Sequence, residues 1–293
     1  MHGFKISASF MTSKSNINYF ANLKENVRSA LSEDVGSGDI TAQLIPENHY
    51  AKATVITRED SVLCGRPWFD EVFHQIDPTV VIDWKKNEGD RVSSNMELVV
   101  IEGSARSILT AERTALNFLQ TLMGTATTAA HYASLLAGTN TKILDTRKTI
   151  PGLRLAQKYA VKVGGAENHR VGLYDAFLIK ENHIATCGSI KSAVDSARKL
   201  HPSALVEVEV ENMDELKAAI DANVDRIMLD NFSDELILKA IELKPKNIQY
   251  EVSGNITETG LIKNKFRGID FVSSGSLTKH ISAIDLSMRL SLH

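Results

Sequence analysis

From residue 143 onward, short apolar runs recur and each breaks off into polar or charged residues: ILDTRK at 143, FLIKEN at 177, LVEVEVEN at 205, IMLDN at 227, IQYEVSGN at 248 and DFVSSGS at 270. The last four begin about 22 residues apart, which leaves room for a strand, a loop and a helix of roughly ten to twelve residues. That rhythm predicts βα units building a parallel sheet or barrel. The crossovers such a sheet requires are supplied by Met213–Asp221 and Asp234–Leu243, both with helical apolar spacing. Ligands of such folds gather at the carboxyl ends of the strands. Here those ends carry Arg147, Lys148, Lys180, Glu209, Glu211, Asp230, Ser253 to Asn255 and Ser274 to Ser276.

The first hundred residues have a different pattern. SVLCGRPWFDEVF reads as a turn and a helix, and VVIDWKKNEGDRVSSNMELVVIEG as half-buried strands with a turn at Asn87 to Gly89, the signature of an α/β sandwich. A lipoyl or biotinyl carrier would place a lysine at a hairpin tip after EGDRV, and none occurs between Val92 and Ser107. Between the two regions, Leu109, Leu116, Leu119 and Met123 predict a long helix over Ser107–Leu136. Arg113 falls on that stripe, and the sequence alone leaves open whether it snorkels or offers its guanidinium to an anion across an interface.

Charge sharpens the picture. The 293-residue chain has a net charge of −3, yet the forty residues from Leu144 to His183 hold Arg147, Lys148, Arg154, Lys158, Lys162, His169, Arg170 and Lys180. A basic cluster in a slightly acidic chain predicts a local site for a small, multiply negative ligand and no nucleic-acid surface. Three of these cations, Arg154, Lys158 and Lys162, follow the Pro151-Gly152 turn at near-helical spacing and are expected on a solvated helix face. Glu207, Glu209 and Glu211 alternate with valines, so Glu209 reads equally as a ligand or as part of a strand's polar face. His183 is expected to be a satisfied structural histidine. Cys64 and Cys187 lie far apart without a CxxC pair, which predicts two buried packing residues and neither a disulfide framework nor a zinc site. No run is long and apolar enough to span a bilayer, and the first residues lack a signal peptide's apolar core, so a cytoplasmic location is expected.

EDVGSGDIT (33 to 41), LTAERTALNFLQTLMGTAT (109 to 127), DTRKTIPGLR (145 to 154), KVGGAENHRVGLYD (162 to 175), LIKENH (178 to 183), VEVEVEN (206 to 212), MLDN (228 to 231) and VSSGSLT (272 to 278) closely resemble the quinolinate phosphoribosyltransferases, in the family's order and over almost the whole chain. The resemblance implies an N-terminal α/β sandwich (1–115) joined by the C-terminal segment (278–293), and an incomplete, open α/β barrel of TIM-like units (116–277). It implies a homodimer with shared active sites, in some members a hexamer of three dimers. The implied reaction joins quinolinate to phosphoribosyl pyrophosphate and yields nicotinate mononucleotide, pyrophosphate and carbon dioxide.

The resemblance also distributes roles. Thr146, Arg147, His169, Arg170 and Lys180 match the quinolinate pocket, with Arg113 delivered by the neighbouring subunit. Lys148, Glu209 and Asp230 match the catalytic set and touch the donor. Ser253, Gly254 and Asn255 with Ser274, Gly275 and Ser276 form its phosphate cradle. Magnesium arrives with the donor's pyrophosphate, with no ligand assigned in the chain beyond the nearby carboxylates Glu209 and Asp230. The competing functions are a divergent relative with another acceptor and a catalytically silent sugar-phosphate binder.

Overall fold

The computed structural model describes residues 17–254, 256, 258–264 and 268–292. Helix α1 (Leu23–Val35) leads into strands β1 (Tyr50–Thr57) and β2 (Ser61–Val62), helix α2 (Arg66–Ile76), and strands β3 (Val81–Trp84), β4 (Arg91–Val92) and β5 (Glu97–Ser104). A 31-residue helix, α3 (Ala105–Leu135), then crosses to the second region. It begins two residues ahead of the predicted start because the Ser104 hydroxyl accepts from Ser107 N and caps it there.

Strand β1 alternates buried and partly exposed residues along its length, with Ala51, Ala53 and Val55 turned inward. This one-sided face packs with Trp68, Phe69 and Phe73 of α2 and Ile108, Ala115 and Leu119 of α3 in one apolar core. The last strand, β12 (Leu286–Leu292), pairs antiparallel with β1 from Ala51↔Leu292 to Thr57↔Leu286, giving the sheet order β12-β1-β5-β3. The returning segment crosses α3 at Gly124, where a Cβ would lie 2.2 Å from Ser282 O. Only glycine fits that crossing.

The second region runs β6 (Lys142–Leu144), α4 (Arg154–Val163), β7 (Ala176–Ile179), α5 (Glu181–Cys187), α6 (Ile190–Leu200), β8 (Leu205–Val210), α7 (Met213–Asp221), β9 (Arg226–Asp230), α8 (Asp234–Glu242), β10 (Gln249–Ser253), α9 (Glu258–Asn264), β11 (Phe271–Ser273) and α10 (Ser276–Lys279). Its six strands are parallel in the order β6-β11-β10-β9-β8-β7, so the α/β barrel is open between β6 and β7. Helix starts are fixed by side chains: Asn212 Oδ1 accepts from Asp214 N and Glu215 N at α7, and Ser233 Oγ from Leu236 N at α8.

The apolar core of this region lies outside the sheet. Val206, Val208, Val210, Ile227, Leu229, Val252 and Val272 meet the helices there. Period-2 alternation then turns Glu207, Glu209, Arg226, Met228, Asp230 and Glu251 toward the barrel interior. TIM barrels usually fill that space with branched aliphatic side chains. This open barrel turns mostly ionisable groups into it.

Candidate active site

Where the strands end, a cavity of about 920 Å³ opens. Every residue the family resemblance placed at the site lines it except Arg113 and Asn255. Asn255 lies outside the described residues. Arg113 is exposed on α3 and is not among the residues that line this cavity. It leaves the helix stripe because the buried face runs through Ala105, Ile108, Ala111, Ala115 and Leu119.

One end of the cavity is cationic. Strand β6 continues into Asp145 and then Thr146, Arg147 and Lys148, and the loop after α4 supplies His169 and Arg170. Burial and the like charge of Arg147 lower the pKa of the Arg170 guanidinium. Arg147 Nε is buried without a hydrogen-bond partner. Two guanidiniums that repel one another at one cavity wall suit an anionic ligand. Lys180, at the end of β7, reaches Glu209 Oε2 at 2.5 Å across the cavity wall. His183 is structural, as expected: its Nδ1 accepts from Lys180 N at 3.0 Å and caps α5.

The loops at this end are tied together from beneath, and here two expectations fail. Lys158, expected on a solvated face, is fully buried: its Nζ donates to Asp145 Oδ1 at 2.6 Å and to His169 O at 2.9 Å. Arg154 is likewise a brace, donating to Thr149 Oγ1, Arg147 O and Val171 O. Only Lys162 behaves nearly as expected, half-exposed and paired with Glu167. Burial pushes the Asp145 carboxyl up and the Lys158 ammonium down. Asp145 also accepts from His169 N (2.8 Å) and Asn168 Nδ2 (2.7 Å), so it works only as an acceptor. That requirement keeps it a carboxylate and Lys158 its counter-ion.

Below His169 lies a cluster that sequence reading missed. Its Nε2 is 3.1 Å from Glu207 Oε2 and 3.4 Å from Glu251 Oε2. Arg226 reaches Glu251 at 3.4 Å and lies over the Phe271 ring at 4.2 Å. Glu207 is therefore a buried interior group and not part of a polar surface, whereas Glu211 is exposed and does not line the cavity. Burial works against a charged His169, but Glu251 and Glu207 outweigh it and push its pKa up to about 10. Burial and the Glu251 charge push Glu207 up as well. Because His169 Nδ1 already accepts from Arg170 N at 2.8 Å, the extra proton belongs to the His169–Glu207 pair jointly.

That proton stabilises the fold fully below about pH 6.5, the value of an unfolded histidine, and its contribution is lost as pH rises through about 10. Urea midpoints measured from pH 6 to 10 are expected to fall across that window. The fall should flatten in His169→Gln; an equally steep fall in the variant would refute the assignment.

At the other end Asp230 accepts from Asn231 Nδ2 at 2.8 Å, and turns after β10 and β11 bring Ser253, Gly254, Ser274, Gly275 and Ser276 to the surface of the cavity. Gly254 has φ +99°, and a Cβ there would lie 2.1 Å from Asn231 Oδ1, so the backbone approaches as only glycine allows. Lys279, His280 and Asn231 also line this end, and none was singled out from sequence. Asn231 closes the MLDN block and Lys279–His280 follow directly on VSSGSLT, so proximity to those motifs was the available signal. Of the cysteines, Cys64 is buried as expected, but Cys187 is exposed at the end of α5.

The fold and this cavity define a class: an open α/β-barrel protein with a cationic pocket facing a serine- and glycine-lined turn surface. Residues 39–123 match the model of the quinolinate phosphoribosyl transferase N-terminal domain and residues 125–289 that of its C-terminal domain. A probable nicotinate-nucleotide pyrophosphorylase [carboxylating] of Bacillus subtilis is 38% identical over 271 residues, covering 92% of this chain and 94% of its own. A mitochondrial quinolinate phosphoribosyltransferase [decarboxylating] of Nicotiana tabacum is 36% identical, covering 92% and 82%. The solved nicotinate-nucleotide pyrophosphorylase of Francisella tularensis is 49% identical and superposes with a TM-score of 0.89, covering 92% and 96%. The chain belongs to the quinolinate phosphoribosyltransferase family.

Proposed function

We infer that this chain is a decarboxylating quinolinate phosphoribosyltransferase, which takes quinolinate and phosphoribosyl pyrophosphate to nicotinate mononucleotide, pyrophosphate and carbon dioxide in NAD biosynthesis. The observation that carries the reading is the convergence of Arg147, His169, Arg170 and Lys180 on one end of a cavity whose other end is lined by Asp230, Gly254 and Ser274 to Ser276. Adjacent carboxylates on a planar ring suit guanidinium forks, each charge-assisted hydrogen bond contributing about 1.5 to 3 kcal/mol. Arg147, Arg170 and Lys180, with Thr146, hold quinolinate in this reading, while His169, expected there from the sequence, has Nδ1 on Arg170 N and Nε2 facing Glu207 and Glu251 and so braces Arg170 from beneath. The turns at Ser253–Gly254 and Ser274 to Ser276 hold the 5-phosphate.

The pyridine nitrogen attacks the anomeric carbon, the bond to pyrophosphate breaks, and the ribose passes through an oxocarbenium-like state. The incoming nitrogen carries no proton, so no general base is needed. Glu209 and Asp230 hold the ribose hydroxyls and offset the developing positive charge, and Lys148 stabilises the departing pyrophosphate. Loss of carbon dioxide leaves an electron pair beside the new cationic nitrogen, which serves as the electron sink, and a proton takes the vacated position. Positioning and charge complementarity do most of the work.

Magnesium fits the donor end. Asp230, at the end of β9, is a hard oxygen donor there, whereas Glu209 has one oxygen on Lys180, and such sites hold the ion by one or two carboxylates plus substrate phosphates. Bound there, it would neutralise pyrophosphate charge.

The working form in this reading is a homodimer, with Arg113 of each subunit completing the other's quinolinate pocket. Mixing Arg113→Ala subunits with Lys180→Ala subunits is expected to restore activity at one site per hybrid, and verified hybrids without activity would sink the shared site. No helix among the described residues is long and apolar enough to cross a membrane. A cytoplasmic location, proposed from the sequence, is checked by cell fractionation.

The direct test is to incubate the purified protein with magnesium, phosphoribosyl pyrophosphate and either quinolinate or nicotinate. Nucleotide from quinolinate alone, with equimolar carbon dioxide, is the expected result. No product from either acceptor would move the function to a divergent substrate or a binding role.

A further inference from the structure

Tyr19 precedes α1 and lies outside the stretches matched by the two family models, the earlier of which begins at residue 39. Its hydroxyl donates to Asn168 Oδ1 at 2.7 Å, a contact across 149 positions of sequence. The ring meets Tyr159 edge-on at 5.8 Å between centroids. Next to it Phe20 packs on Trp68 and Tyr159 at 5.7 and 5.2 Å. The N-terminal segment is thus seated on α4, one residue from the buried Lys158.

Asn168 passes the contact inward. Its Nδ2 donates to Asp145 Oδ2 at 2.7 Å and to Lys158 O at 3.0 Å. With its oxygen taken by Tyr19 and its nitrogen by Asp145 and Lys158, the carboxamide has one satisfied orientation. Asp145 accepts from His169 N and Lys158 donates to His169 O, so the His169 peptide is gripped on both sides. Arg170 follows immediately and lines the cavity, one guanidinium nitrogen donating to Ala176 O at 3.2 Å.

We propose that Tyr19 is a positioning residue for the acceptor end of the active site, acting through Asn168 and the Asp145–Lys158 pair to hold the His169–Arg170 peptide where the acceptor's carboxylates bind. Tyr19 does not line the cavity. The hydrogen-bond chain from Tyr19 leads to the loop carrying His169 and Arg170, so its loss falls on quinolinate and spares phosphoribosyl pyrophosphate, whose turns lie on β10 and β11. The inference rests on the reading that Arg170, held by the His169 loop, binds quinolinate.

Steady-state kinetics of the full chain, with each substrate varied, test it in Tyr19→Phe, Phe20→Ala and Arg170→Ala, alongside thermal unfolding. Tyr19→Phe removes one hydroxyl and keeps the ring. It is expected to raise the quinolinate KM about five- to tenfold, the scale of one hydrogen bond, with kcat and the donor KM within about twofold. Phe20→Ala removes apolar packing from the same segment and should lower Tm while leaving the quinolinate KM near wild type. An unchanged quinolinate KM in Tyr19→Phe, or equal rises for both substrates in Tyr19→Phe and Phe20→Ala, would overturn the proposal. Arg170→Ala separates the two layers: a large rise in quinolinate KM there with none in Tyr19→Phe defeats Tyr19 alone, and no rise in either defeats the site reading as well.

Discussion

Replacing Lys148 by alanine is expected to lower kcat about 10²- to 10³-fold, the usual cost of deleting one preorganised charge from a transition state, while the protein stays folded. The side chain is exposed at the cavity wall, so truncation opens no core void. The loop is fixed by its backbone: Lys148 N donates to Thr146 Oγ1 at 3.1 Å, and Thr278 Oγ1 donates to Lys148 O at 2.8 Å. Neither bond involves the ammonium. Lys148 Cδ lies 3.0 Å from where a Cβ on Gly275 would stand, so the stem runs directly over the glycine turn of the donor end. The charge is thus held at the donor end of the cavity by groups the substitution leaves intact. Turnover and Tm measured together decide it: near-normal kcat would remove Lys148 from the mechanism, and a collapsed Tm would turn the loss into a folding effect.

The sequence made the barrel's outside legible and hid its inside. Val206, Val208 and Val210 repeat at period 2 and mark β8 whatever faces them, and the spacing of the strands exposes the βα rhythm. The alternating Glu207, Glu209 and Glu211 carry no such mark, because a charged residue opposite an apolar face reads as solvent-facing by default. In an open barrel that second face is an interior, and Glu207 and Glu251 are buried where His169 and Arg226 offset their charge. Strand-end residues were readable because the fold rule fixes where ligands gather, which is why Lys180, Asp230 and Ser274 line the cavity. Arg113 is the reverse case. Its position among leucines placed it on the apolar stripe, but the buried face of α3 runs through small residues such as Ala105, Ala111 and Ala115 that a count of large apolar side chains passes over.

Lys158 is the sharpest failure of that default and gives the largest stability effect. Spaced near-helically between Arg154 and Lys162, it reads as a solvated face, yet it is wholly buried with Asp145. Lys158→Met keeps a flexible stem of similar length and removes the charge, leaving Asp145 buried with its strongest partner gone. Breaking a buried pair from one side costs about 3 to 5 kcal/mol, mostly the penalty of the uncompensated ion. In urea the single variant is therefore expected to unfold at a clearly lower midpoint. The double variant Lys158→Met with Asp145→Asn should lose less than the two single losses combined, because a neutral amide in place of Asp145 leaves no stranded charge. Buried pairs as a class often stabilise a fold no more than an apolar substitute would, since desolvating two ions consumes most of their attraction. What this pair supplies is direction: Asp145 accepts one side of the His169 peptide and Lys158 donates to the other, a task no apolar pair performs. The double variant should accordingly recover part of the stability and retain a raised quinolinate KM. Strict additivity in the unfolding series would show that Asp145 and Lys158 act independently and refute the paired role.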